Sequence, residues 1–101
     1  IFGTNVFSSQ GAGTTVKNKG LSGEVKVGAF DATKDAINML TDGTVDLVIA
    51  QKPGDMGFFA VEMAMAYMNG VTSIPKHIPT GYAVITRDNM NDPNIVIFFY
   101  K

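Results

Sequence analysis

Three planar polar side chains each follow a segment that has the pattern of a buried strand. Asn5 follows IFGT, Asp31 follows EVKVGAF, and Gln51 follows VDLVIA. Amide side chains both donate and accept hydrogen bonds, and a carboxylate accepts two or more. Such groups suit a ligand covered in hydroxyl groups, whereas a phosphate is better bound by Lys, Arg or backbone N–H groups. The three residues therefore predict a site for a hydroxyl-rich small molecule.

Each of the three residues also has a purely structural explanation. Asn5 can shape the turn before the first helix, Asp31 can complement the dipole of a helix N-terminus, and Gln51 can be a polar turn residue. These alternatives stay open for each residue taken alone. Because open α/β sheets bind ligands outside the carboxyl ends of their strands, three polar residues at one edge favour a site. Phe7 is an aromatic residue close to that edge, and it either stacks on a ring of the ligand or packs in the core.

Other chemically active residues form no comparable pattern. The sequence has no cysteine and a single histidine, His77, so we expect no metal site and no cofactor. Ser8 and Ser9 lack the preceding glycine of a nucleophile elbow. The segment GAGTTVKNKG lacks the G-K-[ST] ending of a phosphate-binding loop. We therefore expect no catalytic residue, and an enzyme of flavodoxin-like fold is the least favoured function.

The polar residues are positioned by alternating strands and helices. The sequence predicts strands at 1–4, 24–30, 45–50, 78–86 and 95–101, and helices at 8–19, 33–43 and 55–69. Successive strand–helix–strand units predict an α/β fold with a parallel sheet and right-handed crossovers. The third helix is rich in methionine and almost free of charge, which predicts that most of its sides are buried.

Composition fits one small domain and excludes several classes of partner. Eight basic and nine acidic residues give the 101-residue sequence a net charge of −1, so there is no basic surface for nucleic acid or for an anionic membrane. No apolar segment reaches the roughly 18 residues that a membrane span needs. The absence of cysteine is compatible with an oxidising, extracytoplasmic setting. We interpret the opening segment IFGTNVF, which has neither Met nor a signal-peptide pattern, as the start of a mature piece, a tag-cleaved chain or a fragment.

Four short motifs resemble the carboxy-terminal part of ribose-binding-type periplasmic binding proteins, the sugar-binding components of ABC transporters. The motifs are GTN at 3–5, AFDA at 29–32, DGT at 42–44 and AQKPGDMG at 50–57. The family's Asn, Asp and Gln at these motifs contact the ligand, so the resemblance implies ligand contacts by Asn5, Asp31 and Gln51. The sequence departs from the family pattern at Val6, where an acidic residue is common, and at Gly54, where a bulky residue is common.

The resemblance implies a periplasmic-binding-protein type I fold, which is flavodoxin-like. Two α/β lobes are joined by three crossovers and close on the ligand. Residues 1–51 would form the second half of the C-terminal lobe, and residues 52–85 would be a helix and strand of the N-terminal lobe. Residues 86–101 would form a C-terminal return segment. The remaining parts of both lobes are not among these residues, so the chain would hold the fold as an incomplete fragment.

The function implied is the binding of a sugar or sugar-like polyol by hydrogen bonds between two closing lobes. The partners would be the sugar and an ABC permease, without nucleic acid, in the periplasm or lipid-anchored at the outer face of the cell membrane. The alternative is the effector-binding domain of a lactose-repressor-like regulator, but AFDA and DLVIAQ replace that family's GFDD and LTT patterns. An unpaired first strand and an uncovered apolar helix predict that the chain alone self-associates or needs the missing lobe.

Overall fold

The computed structural model describes residues 1–100, which form two compact units. One unit comprises residues 1–51 and the residues from Tyr82 onward, and the other comprises residues 52–81. The helices are α1 (Val6–Asn18), α2 (Lys34–Thr41), α3 (Pro53–Met68) and α4 (Pro93–Val96). The strands are β1 (Gly28–Phe30), β2 (Leu47–Gln51) and β3 (Tyr82–Ile85). No helix within residues 1–100 is long and apolar enough to cross a bilayer.

The first two strands of the sheet are parallel, as the strand–helix–strand pattern predicted. β1 pairs with β2 so that Phe30 lies opposite Ile49. On the other side of β1, Phe2 forms an isolated parallel bridge with Gly28. There the amide of Gly3 donates to the carbonyl of Gly28 at 2.9 Å. The first predicted strand is therefore reduced to a short edge contact, in which Phe2 and Gly3 lie next to β1.

The third strand reverses the direction of the sheet. The strand order is β1-β2-β3, and β3 runs antiparallel to β2, with Ile85 opposite Val48 and Tyr82 opposite Gln51. The α/β class is confirmed, but the sheet is mixed instead of purely parallel. The reason is that the chain leaves the sheet after Gln51 and returns at Tyr82, directly opposite Gln51. The returning strand must therefore run in the other direction. β3 therefore belongs to the first unit, although the sequence analysis grouped it with the residues from 52 onward.

The core of the first unit lies where α1 and α2 pack on the sheet. Leu40 of α2, Val48 of β2 and Ile85 of β3 are fully buried at its centre. α1 joins them despite its glycines and threonines, which disfavour a helix. It presents Ser9, Gly13 and Val16, spaced by four and three residues, as its buried face. Tertiary packing therefore stabilises a helix that local propensity alone would not.

The carboxy-terminal segment folds as a short helix and turn, so the strand predicted at 95–101 is wrong over residues 95–100. Asp92 caps α4, since its Oδ1 accepts a hydrogen bond from the amide of Asn94 at 2.8 Å, and Pro93 is suited to the first helical position. This local capping outweighs the β propensity of residues 95–100, IVIFFY. Lys101 lies outside the described residues. The side chains that pack on the core from this segment are Ile95, Phe98 and Phe99.

Helix α3 contradicts the predicted burial of its apolar surface. None of its residues is buried, and its Phe58, Met65 and Met68 side chains are exposed. The residues that follow it in its own unit, 69–81, form neither a helix nor a strand. The helix consequently has no second layer within its unit to pack against.

Candidate functional site

Asp31 and Gln51 are brought together at the carboxyl ends of β1 and β2. Nε2 of Gln51 donates a hydrogen bond to Oδ1 of Asp31 at 2.7 Å, and both side chains are partly buried. The strands are parallel and end side by side, and neighbouring strands lie about 4.8 Å apart. Two residues that are 20 positions apart in the sequence can therefore bond directly.

The backbone of Asp31 adopts an unusual conformation. Its φ is 71°, the one positive value at a residue other than glycine within residues 1–100. This left-handed conformation costs an L-residue about 1–2 kcal/mol, although Asp tolerates it better than most. The amide of Asp31 still donates to the carbonyl of Ile49 at 2.8 Å, which holds the residue at the end of the sheet. Such strain is concentrated at functional sites.

Asp31 is not the cap of the helix that follows it. The N-cap of α2 is Thr33, whose Oγ1 accepts a hydrogen bond from the amide of Ala36 at 3.3 Å. The helix therefore begins with its own capping residue, and the Asp31 carboxylate bonds to side chains instead. This leaves its charge available at the edge of the sheet.

Tyr100 is a member of this cluster that the sequence analysis missed. Its hydroxyl donates to Oδ1 of Asp31 at 2.8 Å, and its amide donates to the carbonyl of Ala32 at 2.9 Å. Burial, followed by the hydrogen bond and charge of Asp31, raises the pKa of Tyr100 to about 12. No sequence motif indicates this contact, because 69 positions separate the two residues. In addition, the tail, which is the segment from residue 95 onward, has the composition of a strand.

Asn5 has a structural role at the start of the first helix. It is the N-cap of α1, where its Oδ1 accepts from the amide of Ser8 at 2.9 Å and Ser8 Oγ accepts from the amide of Asn5 at 3.2 Å. This reciprocal pair is a capping box. The side chain is exposed, and its Nδ2 has no hydrogen-bond acceptor among residues 1–100. The capping role therefore leaves an N–H donor available for a ligand.

Ser9 joins the start of α1 to the end of β1. Its buried hydroxyl donates to the carbonyl of Asn5 at 2.7 Å and accepts from the amide of Phe30 at 3.0 Å. A Cβ added at Gly3 would lie 2.5 Å from the backbone of Ser9, so the close approach requires glycine at that position. No sequence motif indicates that the Ser9 hydroxyl holds Asn5 beside the sheet.

Phe7 does not pack in the core. Its side chain is 84% exposed in the first turn of α1, so the packing alternative is wrong, and ring stacking on a ligand stays a prediction. Within residues 1–100, no group of three or more His, Cys, Asp or Glu side chains is arranged to hold a metal ion. The arrangement described here offers hydrogen-bond donors, acceptors and an exposed ring.

Comparison with known proteins decides the family. The sequence profile described as "Periplasmic binding protein domain" matches residues 1–72. The chain belongs to the periplasmic binding protein family. The match includes the motifs around Asn5, Asp31 and Gln51, and it confirms the resemblance found in the sequence.

Solved structures of this family superpose on the whole chain. An ABC transporter solute-binding protein from Agrobacterium vitis, bound with alpha-D-tagatopyranose, is 40% identical with a TM-score of 0.92, over 100% of this chain and 34% of its own. A second one from the same organism, with bound D-fucose, is 28% identical with a TM-score of 0.86, over 99% of this chain and 34% of its own. The mixed sheet is therefore the arrangement of a periplasmic-binding-protein fold.

Curated relatives in the family match over a smaller part of their length. The xylose/arabinose-binding protein XylF of Sulfolobus acidocaldarius is 28% identical over 89% of this chain and 24% of its own sequence. The fructose import binding protein FruE of Bifidobacterium longum is 37% identical over 71% of this chain and 22% of its own sequence. The chain thus spans about a quarter of these relatives and a third of the solved proteins.

Proposed function

We propose that this chain is part of the solute-binding component of an ABC transporter, and that the complete protein binds a sugar or sugar-like polyol without a chemical step. The observation that carries the proposal is the bonded pair of Asp31 and Gln51 at the carboxyl edge of the sheet. Relatives with bound D-tagatose and D-fucose support the ligand class.

The pair and its neighbours complement the hydroxyl groups of a sugar. Oδ1 of Asp31 accepts from Gln51 and Tyr100, whereas Oδ2 of Asp31 and Oε1 of Gln51 accept no bond from residues 1–100. Nδ2 of Asn5 supplies a donor. Because a hydroxyl group both donates and accepts, the hydroxyl groups of a sugar suit the free acceptors of Asp31 and Gln51 as well as the free donor of Asn5. In this proposal the exposed ring of Phe7 covers an apolar face of the sugar.

The proposal extends to the lobes of the complete protein. Residues 1–51 belong to the C-terminal lobe, residues 52–85 apart from β3 belong to the N-terminal lobe, and residues 86–101 form the return segment. Lobe closure on the sugar presents the protein to a membrane permease. We place the protein outside the cytoplasm, either free in the periplasm or lipid-anchored. The exposed apolar surface of α3 supports self-association of the 101-residue chain, or its dependence on the missing lobe.

A regulator of the lactose-repressor type is the alternative function. One solved relative, from Brachyspira murdochii, is described as "ABC transporter, LacI family transcriptional regulator" and is 28% identical with a TM-score of 0.67. The sugar-bound relatives from Agrobacterium vitis are solute-binding proteins with higher TM-scores, which favours transport.

Titration calorimetry on the intact gene product that carries this chain tests the function. The sugars are D-tagatose, D-fucose, D-arabinose, D-xylose and D-fructose. We expect at least one to bind, and we expect Asp31→Ala and Gln51→Ala to weaken that binding by about 1–3 kcal/mol each, because each leaves a polar group of the site or the sugar without its partner. Asp88→Ala, at an exposed turn residue, is the matched control. Unchanged affinity in both site variants would contradict the assignment.

A further inference from the structure

The carboxy-terminal tail delivers a tyrosine hydroxyl to the proposed sugar site. After α4, Phe98 and Phe99 pack against the core of the first unit. The amide of Tyr100 then bonds to the carbonyl of Ala32, one residue beyond the left-handed turn at Asp31. The ring of Tyr100 is thus held at both its backbone and its hydroxyl end, beside the carboxylate of Asp31.

Both donors on Asp31 bind the same oxygen. Nε2 of Gln51 is 2.7 Å from Oδ1, and Oη of Tyr100 is 2.8 Å from Oδ1. The terminal torsion of an Asp side chain has a broad, nearly two-fold preference, so a carboxylate held by one bond can rotate. Two donors that approach one oxygen from β2 and from the tail restrict that rotation. They leave Oδ2 as the oxygen that accepts no bond from residues 1–100.

We propose that Tyr100 is a positioning residue of the sugar site, which with Gln51 occupies Oδ1 of Asp31 and so orients Oδ2 towards a hydroxyl donor of the ligand. The inference rests on the proposed function, because it assigns a role within that same site. Tyr100 itself does not contact the sugar in this arrangement. Through this bond, the affinity of the site formed by Asp31 and Gln51 depends on the position of the tail.

The protonation of Tyr100 agrees with this role. Burial and the neighbouring Asp31 raise its pKa to about 12, so the hydroxyl remains a donor throughout the neutral and mildly alkaline range. The bond that orients the carboxylate therefore does not depend on pH in that range.

Tyr100→Phe is the variant that tests the proposal, since it removes the hydroxyl and keeps the ring that packs in the tail. It is compared with the unsubstituted intact gene product by titration calorimetry, using whichever sugar of the panel above binds most tightly. We expect about tenfold weaker binding, because without the Tyr100 hydroxyl the carboxylate of Asp31 is held by one bond and can rotate away from the sugar. Tyr67→Phe is the matched control, because the exposed hydroxyl of Tyr67 has no hydrogen-bond partner among residues 1–100.

A spectroscopic readout separates positioning from a merely structural contribution. The protein is labelled with ¹³Cζ-tyrosine, and the resonance of Tyr100 is assigned by its absence in Tyr100→Phe. Saturation with the sugar is expected to shift this resonance, because a hydroxyl group bound at Oδ2 changes the charge on the carboxylate that Tyr100 contacts. A tyrosine that only stabilises the tail would keep its chemical shift.

The outcomes are distinct for the two proposals. Failure of every sugar to bind the unsubstituted protein would overturn the proposed function and this inference together. Binding to the unsubstituted protein, with equal affinity in Tyr100→Phe or with an unmoved Tyr100 resonance, would overturn this inference alone. Weakened binding together with a shifted resonance would support it.

Discussion

The two units of the chain differ in whether their helices bury apolar side chains. In the first unit, α2 buries Ala36 and Leu40 against the sheet and exposes its other faces. In the second unit, α3 is more uniformly apolar, and yet none of its residues is buried. Burial is therefore decided by what lies opposite a side chain and not by its hydrophobicity alone. An amphipathic helix needs one packing surface, whereas a helix apolar on all sides needs several.

The largest effect we expect separates the two helices by their contribution to stability. Leu40→Ala removes a fully buried side chain and should lower the free energy of unfolding by about 2–5 kcal/mol, from lost burial and the cavity left behind. Met68→Ala, at an exposed position of α3, should change it by less than about 0.5 kcal/mol. Urea unfolding followed by circular dichroism measures both. Equal destabilisation would mean that α3 is packed as tightly as α2.

A pair of glycine substitutions tests the close approach that places Asn5. Gly3→Ala would put a Cβ 2.5 Å from the backbone of Ser9, and we expect it to destabilise the first unit by about 1–3 kcal/mol. Gly11→Ala, in α1 with nothing within 4 Å of the added Cβ, should instead stabilise by roughly 0.5–1 kcal/mol through higher helix propensity. Thermal melts of the two variants should therefore shift in opposite directions. A neutral Gly3→Ala would contradict the close contact.

Serine substitutions on α3 test whether its exposed surface drives association. Phe58 and Met68 are exposed, so replacing both by Ser should leave the secondary structure intact and weaken self-association by about tenfold for each side chain. Size-exclusion chromatography across a micromolar concentration series measures the change. A monomeric unsubstituted chain with a cooperative melt would show that the self-association proposal is wrong.

The smallest expected effect is electrostatic and lies at the end of α2. The hydrogen bond from Lys17, followed by bonds from Thr44, lowers the pKa of Asp42 from 3.8 to about 2. A carboxyl whose pKa is lower in the folded protein stabilises it above the unfolded pKa and loses that contribution as the pH falls. Stability should therefore decline between pH 3.8 and about 2.

The control for that pH dependence is a neighbouring lysine. Lys17→Gln should flatten the acid decline in the urea midpoint, whereas Lys19→Gln, which lacks an ion pair among residues 1–100, should leave it unchanged. The effect should be modest, because both partners of the Lys17–Asp42 pair are substantially exposed. An identical acid decline in both variants would assign the pH dependence to other carboxylates.

The sequence alone determined the local parts of the fold and the positions of three candidate ligand-binding residues. Thr33 as the N-cap of α2 and Gly43 beyond its end, with φ of 82°, follow local rules that need no tertiary information. The apolar segment before Gln51 and its parallel pairing with the preceding strand also follow from pattern and chain order. Asp31 and Gln51 were expected at one edge because parallel strands end together.

Only the tertiary structure decided the features that depend on where the chain returns. The direction of β3, the exposure of α3 and the bond from Tyr100 to Asp31 each depend on the path taken by residues far away along the chain. Residues 95–100, IVIFFY, show the limit most directly, since the Asp92 cap and packing on the core outweigh their β propensity. Capping and periodicity act over a few residues and are written in the sequence. A contact across 69 positions is fixed by the whole fold, because many chain paths share the same local pattern and packing selects one of them.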